Sequence, residues 1–294
     1  MKKLILFGAS GNLGREIAKK AMEQGYDLTV VVRNAQKAEK LSSITPKFII
    51  ADITNPSSLA NICQGFDIVI SALGKSVSPN DNSKCTFNEI DLIANTNILQ
   101  EAIKNGIRKF VYISALHSEK YIHLEYFRVH HEFSELLKKS GLNYSIIKPP
   151  AIFSGFLDMM EMAKKGQLIN IVKGDKRTNP IYEVDLATAC VDAIRPDNVV
   201  MEIGGATIYT RKQLYEIIQK EVNPKKSVKY LPLWTFKLIL PLLKIFNKNL
   251  FDKFAFFLAA IQVDTIAPQR GQMKFEEYIK MKHSITTNRL DVNE

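Results

Sequence analysis

The chain has 294 residues, 46% of them apolar, with charges of both signs along its length; this composition excludes a disordered or collagenous protein and supplies a sizeable core. Its formal net charge of +10 comes from lysines that often sit in pairs beside apolar helical faces, such as Lys19-Lys20, Lys138-Lys139, Lys164-Lys165 and Lys225-Lys226. With no nucleic-acid-binding motif beside them, such pairs read as solvated helix surface, and nucleic acid is not an expected partner.

Met1, Lys2 and Lys3 lead into an apolar run ending at Phe7. That run is too short for a secretory leader, and no uncharged apolar window of about 18 residues predicts a spanning helix. Cys63, Cys85 and Cys190 are odd in number and far apart. They argue against a disulfide framework or a paired-cysteine metal site and suit a reducing, cytoplasmic setting.

Residues 4–7 form an apolar run of strand length that empties into glycines at 8, 11 and 14, and Leu13, Ile17, Ala18 and Ala21 then follow helical spacing. Strand, glycine turn and helix together are the context of a dinucleotide site. Gly8 permits the tight turn, Gly11 lets backbone approach a pyrophosphate, and Gly14 lets the helix pack close on the strand. The helix N-terminus presents N–H groups and partial positive charge to the phosphates. The plainer alternative is an ordinary glycine-rich turn between strand and helix.

A β-branched run at 28–32 predicts a second strand, buried on both faces and ending in Arg33-Asn34. An acid about twenty residues beyond the glycines would accept the 2′-hydroxyl of NAD, whereas an arginine accommodates the 2′-phosphate of NADP. Arg33 therefore predicts NADP over NAD, unless it only solubilises its loop. Residues 48–51 read as a strand ending in Asp52-Ile53, with a helix from Pro56 through Leu59 and Ile62, capped by Asn55. Another strand at 67–71 runs into Ser71, Ala72, Leu73 and Gly74, small or slender residues that suit a chain passing beside a nucleotide. Residues 76–84 read as a polar loop, and 88–105 as one long amphipathic helix with Ile90, Ile93, Ala94, Ile98, Ala102 and Ile103 on its apolar face. A strand at 110–113 leads into Ser114-Ala115. Strands alternating with helices predict an α/β doubly wound parallel sheet, with Gly8, Arg33, Asp52, Ser71 to Gly74 and Ser114 at the ligand-binding strand ends.

GASGNLG, ADITNP, VISALG, KFVYISA and SGLNYSIIKPP, and beyond them NPIYEVDLA and GGATIYTRKQL, resemble the short-chain dehydrogenase/reductase superfamily in its atypical, NmrA-like NAD(P)-binding branch, over roughly residues 1–220. The tail VDTIAPQRGQMKFEEYI is similar to members of that branch. The resemblance implies a Rossmann-type sheet with NAD(P) in an extended groove. It implies Gly8, Ser10, Gly11, Asn12, Leu13 and Gly14 at the phosphates, and Asp52 and Ile53 beside the adenine. Leu73 and Gly74 would lie near the ribose and Pro149, Pro150, Ala151 and Ile152 would border the nicotinamide, with Ser71, Ala72 and Ser114 also counted among the cofactor-binding residues.

The chemistry it implies is hydride transfer between nicotinamide and a carbonyl or double bond. A serine orients the substrate, a tyrosine passes the proton, and a lysine four residues on lowers the tyrosine pKa. These positions match Ser114, Tyr126 and His130, so a histidine stands where the family has lysine. The tyrosine has to shed its proton far below its ordinary pKa of about 10, which calls for a nearby cation, and histidine is only a conditional one. Tyr126 and His130, one helical turn apart, read as an acid/base pair or as packing. His117, His123, His130 and His131 cluster after Ser114. Adjacent residues on a helix point about 100° apart, so no metal site is expected from them.

Beyond residue 150, Met159, Met160 and Met162 line either a substrate pocket or the core, and Asp185 reads as the anchor of a helix N-terminus. In 231–261, Trp234, Leu238, Leu242 and Ile245 follow helical spacing, Pro241 bends or divides the element, and 247–249 is a polar break. Two such helices fit a packed cap, an interfacial membrane contact or a homodimer surface. The expected organisation is a Rossmann core at 1–150, substrate-side segments at 151–230 completing it, and a helical extension at 231–294. The function implied is NAD(P)H-dependent reduction of a small or apolar carbonyl, enone or quinone, the alternative being an NADP(H)-binding sensor or assembly protein without turnover.

Overall fold

In the computed structural model, which describes residues 1–171 and 174–291, strands and helices alternate from the first residues. The order is β1 (Lys3–Phe7), α1 (Asn12–Glu23), β2 (Asp27–Val32), α2 (Ala35–Glu39), β3 (Phe48–Ile50), a 3₁₀ turn (Pro56–Leu59), β4 (Ile68–Ser71), a π-helical segment (Asn88–Ala94), α3 (Asn95–Lys104), β5 (Lys109–Ile113), α4 (Glu125–Lys138) and β6 (Asn143–Lys148). There follow α5 (Leu157–Lys164), β7 (Ile169–Asn170), β8 (Arg177–Thr178), α6 (Glu183–Asp192), β9 (Val199–Glu202), β10 (Tyr209–Thr210), α7 (Arg211–Val222), β11 (Lys229–Tyr230), α8 (Leu233–Phe246), α9 (Lys248–Ala260) and α10 (Phe275–Asp291).

A seven-stranded sheet runs in the order β3-β2-β1-β4-β5-β6-β9, every pair parallel. The doubly wound parallel sheet expected from the sequence is thus present. Leu4, Ile5, Leu6 and Phe7 of β1 have no exposed surface. Uninterrupted apolar strands of this kind belong in a sheet covered on both faces. On one face Ile5, Phe7, Val69, Phe110 and Tyr112 meet Ile98, Leu99 and Ala102 of α3 and Phe133 and Leu137 of α4. Each fully buried Leu, Ile or Phe contributes about 1.5–3 kcal/mol relative to exposure.

The chain divides into two compact units that interleave along the sequence. The first comprises Met1–Ser76, Ser83–Pro149 and Leu186–Glu202; the second takes Val77–Asn82, Pro150–Asp185 and the chain from Ile203 onward. The expected blocks at 1–150 and 151–230 therefore do not describe Leu186–Glu202, which returns to the first unit and adds β9 beside β6.

One helix differs from expectation. Residues 88–105 are not a single α-helix but a π-helical segment followed by α3. Its buried face is also rotated from the predicted one: Ile93 and Ile103 are 43% and 46% exposed, while Asp91 and Asn95 are fully buried. The polar pair is stable there because it is hydrogen-bonded. Asn95 Nδ2 donates to the carbonyls of Ile90 and Asp91 at 3.3 and 3.0 Å, and its Oδ1 accepts from Ser71. The helix predicted from Pro56 is a 3₁₀ turn that stops at Leu59, with Asn55 capping it as expected.

In the second unit, Phe153, Phe156, Met160, Leu214, Ile218, Phe275 and Ile279 form one core, against which Met159 and Met162 pack, so the methionines belong to packing. Asp185 sits in the first turn of α6, and its carboxylate accepts the backbone N–H groups of Gln272 and Met273 at 2.8 and 3.2 Å. α7 begins with a capping box between Thr210 and Gln213. α8 continues through Pro241 rather than dividing there, and the chain breaks at Asn247, whose side chain caps α9. Leu233, Phe236 and Leu240 of α8 pack with Ile171, Leu258 and Ile261.

Candidate nucleotide-binding site and a buried polar network

The strand order reverses between β1 and β4, and in open parallel sheets that switch point is where a ligand enters beyond the strand ends. Gly8 follows β1 with φ +83°, and a Cβ there would stand 2.5 Å from the Ala72 carbonyl oxygen. A Cβ on Gly14 would stand 2.1 Å from the Gly8 oxygen. Glycine at both positions is thus required by the protein's own packing. Gly11 is different: its nearest neighbour to an added Cβ is the Gly8 oxygen at 3.5 Å, an ordinary contact. Among the described residues nothing demands a glycine there, whereas a phosphate approaching the backbone would. Gly11 N–H closes the turn on the Gly8 carbonyl at 3.1 Å and Gly11 caps α1 without any side-chain bond to its first turn. Ser10, Gly11 and Asn12 are exposed, Leu13 is half-buried, and the first-turn N–H groups at Asn12, Leu13 and Gly14 point to an anion site. The residues fit a dinucleotide phosphate.

Arg33 is exposed directly after β2. Across from it, Asp52 Oδ1 accepts the backbone N–H and hydroxyl of Thr54 at 3.0 and 2.7 Å. Those bonds, with a smaller contribution from the Arg33 charge, hold the Asp52 carboxyl below its usual range. Ile53 and Leu73 pack partly against the core. Ala72 N–H donates to the Phe7 carbonyl, tying β4's end to β1's. Ser71 is not available to a ligand in this structure: it is fully buried, and its hydroxyl lies 2.5 Å from Asn95 Oδ1. A Cβ on Gly74 would meet Asp91 Oδ1 at 3.4 Å. Pro149 closes the first unit with its carbonyl on Leu116 N–H, whereas Pro150, Ala151 and Ile152 open a segment of the second, where Ile152 bridges to Ile181.

Ser114, Tyr126 and His130 lead into a polar cluster that the sequence reading missed. Ser114 is buried, its Oγ 3.2 Å from Ser134 Oγ, which in turn donates to the His130 carbonyl. His130 is 4% exposed and its Nδ1 lies 2.6 Å from the Tyr112 hydroxyl. Its Nε2 faces Asp91 Oδ1 at 3.6 Å. Asp91 accepts the Lys75 backbone N–H at 3.1 Å, and the Lys75 ammonium is bonded to Ser83. Tyr126, half-buried, sets its ring edge-on to His130 with centroids 4.7 Å apart, and Phe87 packs on its other side.

Burial governs the titration of this cluster. It pushes His130 down to about 3, so the imidazole is neutral. It lifts Asp91 to about 8 despite the hydrogen bond and charge of Lys75. Burial, with the Asp91 charge behind it, raises Tyr126 and Tyr112 well above the usual phenol value. The neutral His130 therefore offers Tyr126 no cation; its ring nitrogen pairs with Tyr112 while its ring packs against Tyr126. Asp91 and Asn95 carried the overlooked signal, an acid and an amide one turn apart on the core-facing side of a helix. A π-helical segment is frequently found at functional positions, and this one carries Asp91.

The sequence profile of the NAD(P)H-binding family matches residues 8–197. The chain belongs to that family. It is 34% identical over 154 residues to photosystem II assembly factor Ycf39 of Cyanophora paradoxa, a stretch that is 52% of this chain and 47% of the relative, so it spans about half the relative's length. It is 26% identical over 307 aligned positions to the chloroplastic divinyl chlorophyllide a 8-vinyl-reductase of Arabidopsis thaliana, covering 93% of this chain and 72% of that one. Its fold is shared with NADPH-dependent quinone oxidoreductase QOR2 of Escherichia coli, solved with NADPH, at a TM-score of 0.73 and 19% identity over 95% of this chain and 99% of that one. The NmrA-like resemblance read from the motifs is borne out. In this NAD(P)H-binding chain the glycine loop and the α1 N-terminus lie at the switch point of the sheet, and Ser114, His130, Tyr112 and Asp91 form a buried polar cluster.

Proposed function

We propose that the chain is an NADP(H)-dependent oxidoreductase whose acceptors are small, apolar quinones or enones, in preference to simple ketones. The observation that carries the reading is the phosphate cradle at Gly8–Gly11–Gly14 followed by exposed Arg33, with no acid at the ribose position. Bound NADPH supplies hydride. Gly11 and the α1 N-terminus hold its pyrophosphate, and Arg33 grips the 2′-phosphate through charge-assisted hydrogen bonds. Tyr126 delivers the proton as a neutral phenol whose acidity is suppressed by burial, and further by Asp91 once that carboxyl ionises. Hydride transfer that leaves a delocalised, phenol-like or enol-like anion depends little on proton assistance, so a donor that weak limits quinones and enones less than simple ketones, whose reduction to a localised alkoxide calls for a stronger acid. Ser114, tied to Ser134, positions the strand end.

The test is oxidation of NADPH, followed at 340 nm, against quinones, enones, aldehydes and ketones. Quinones and enones are expected to be reduced fastest, and Tyr126→Phe to lower kcat by about a hundredfold. Stoichiometric NADPH binding with a flat trace on every acceptor would remove the enzyme reading. It would favour a second one, a nucleotide-binding sensor or assembly protein, which the neutral His130 at the family's lysine position and the kinship to an assembly factor support. Arg33→Ala is expected to weaken NADPH binding about 10- to 100-fold and leave NADH unchanged, the loss corresponding to one or two hydrogen bonds to a charged group. Equal calorimetric affinities for NADPH before and after the substitution would dismiss the choice of NADP.

A further inference from the structure

We propose that the face built by β11, α8 and the start of α9 is a docking surface for an anionic lipid bilayer. One side of α8 is packed, through Leu233, Phe236 and Leu240. On the other, Trp234, Leu238, Leu242, Ile245 and Phe246 are 61%, 66%, 57%, 77% and 83% exposed. Trp234, Leu238, Leu242 and Ile245 recur at intervals of four, four and three, and Phe246 lies four beyond Leu242, so they form one broad stripe along the helix. A helix apolar on both sides requires cover on both, and none of the described residues supplies the second cover.

The charges around the stripe decide what covers it. Between Glu221 and Asp252 the chain has no acidic residue and carries Lys225, Lys226, Lys229, Lys237, Lys244 and Lys248, in a protein that otherwise mixes 40 basic with 30 acidic residues. Lys225, Lys226, Lys229 and Lys244 are exposed, and Lys248 shares itself with Asp252 at 2.6 Å. A second copy would bring the same one-signed segment against this one, which like-charge repulsion opposes. An acidic headgroup layer over an acyl region supplies both complements at once, negative charge for the lysines and hydrocarbon for the stripe.

A cleft of about 550 Å³ beside this segment is lined by Lys212, Lys220, Lys226, Lys229 and Tyr230, with Glu216 as its acid. Tyr230, 58% exposed, lies three residues before α8, so the basic cleft runs directly into the apolar stripe. The cleft suits a lipid phosphate, and Tyr230 and Trp234 suit the headgroup level, where amphipathic rings collect. With 14 residues, α8 is about 21 Å long. That fits a helix lying in the interface, and no helix among the described residues is long and apolar enough to cross a membrane.

Trp234 is the chain's single tryptophan and reports directly on the stripe. The full chain is to be mixed with phosphatidylcholine vesicles, with and without phosphatidylglycerol, at low and high salt. Co-sedimentation and a blue shift of Trp234 emission are expected only with the anionic vesicles, weakening at least tenfold at high salt. Ile245→Glu with Phe246→Glu should abolish the shift, and Lys225→Glu with Lys226→Glu should lower binding about tenfold. Both variants keep their circular dichroism and NADPH affinity, since these side chains are exposed. No sedimentation with either vesicle overturns the proposal. So does equal, salt-insensitive binding to neutral vesicles, or a dimer in light scattering that Ile245→Glu dissociates.

Discussion

Gly14→Ala is expected to abolish nucleotide binding and to destabilise the first unit. The added methyl would stand 2.1 Å from the Gly8 carbonyl oxygen and 2.9 Å from Ala9 Cα, both backbone, so no side-chain rotation relieves it. The helix would have to move off the strand. Ile17, Ala18 and Ala21 of α1 have no exposed surface, so that movement opens packed core and costs about 2–5 kcal/mol. Gly11→Val separates binding from stability. At Gly11 the nearest neighbour is the Gly8 oxygen at 3.5 Å, so a side chain fits the free protein and fills only the space in front of the loop. Gly11→Val should therefore unfold in urea close to the native midpoint yet lose at least a hundredfold in NADPH affinity by calorimetry. Unchanged affinity in Gly11→Val would show that phosphate is not held at this loop. Unchanged stability in Gly14→Ala would contradict the close packing of α1 on β1.

The sheet was readable because its signals are local and repeated. Each strand of the first half is an apolar run, each ends in a residue suited to ligand or turn, and the glycine spacing ties the first strand to the first helix. Arg33 and Asp52 were readable for the same reason, since strand ends collect on one edge of a parallel sheet. Asp91 was not. In 88–105 the isoleucines fit helical spacing on more than one face, and polarity alone argued for placing Asp91 and Asn95 outward. Partners distant in sequence reverse that argument: Lys75 N–H for Asp91, and the Ser71 hydroxyl for Asn95. The departure at His130 was visible as a residue type, but its charge was not, because an imidazole's protonation depends on what surrounds it. Likewise the apolar residues of α8 were recognisable, while only the structure separates Leu233, Phe236 and Leu240, which are packed, from the stripe that is not.

Stability is expected to fall between pH 6.5 and 8, and Asp91→Asn to remove that fall. Asp91 moves from an ordinary 3.8 to about 8 on folding, so the folded state holds a proton that the unfolded chain releases. The resulting stability is fully present below about pH 4 and is lost as pH rises through 8. His130 acts in the opposite sense. Its value drops from 6.5 to about 3, so its contribution is present above 6.5 and lost as pH falls toward 3. From about 4 to 6.5 the two slopes oppose each other, and above 6.5 Asp91 acts alone. One pH unit is worth about 1.4 kcal/mol, so the loss from 6.5 to 8 is about 2 kcal/mol. Asn at position 91 retains an oxygen for the Lys75 N–H and has no proton to lose. Urea unfolding of the native chain and of Asp91→Asn across pH 5–9 gives a difference curve in which other titrating groups cancel. A difference that stays constant from 6.5 to 8 would refute a proton on Asp91. The same ionisation reaches the proposed chemistry, because a charge on Asp91 raises Tyr126 further and weakens it as a proton donor. Turnover in the native chain should accordingly decline above pH 8, and in Asp91→Asn the decline should disappear.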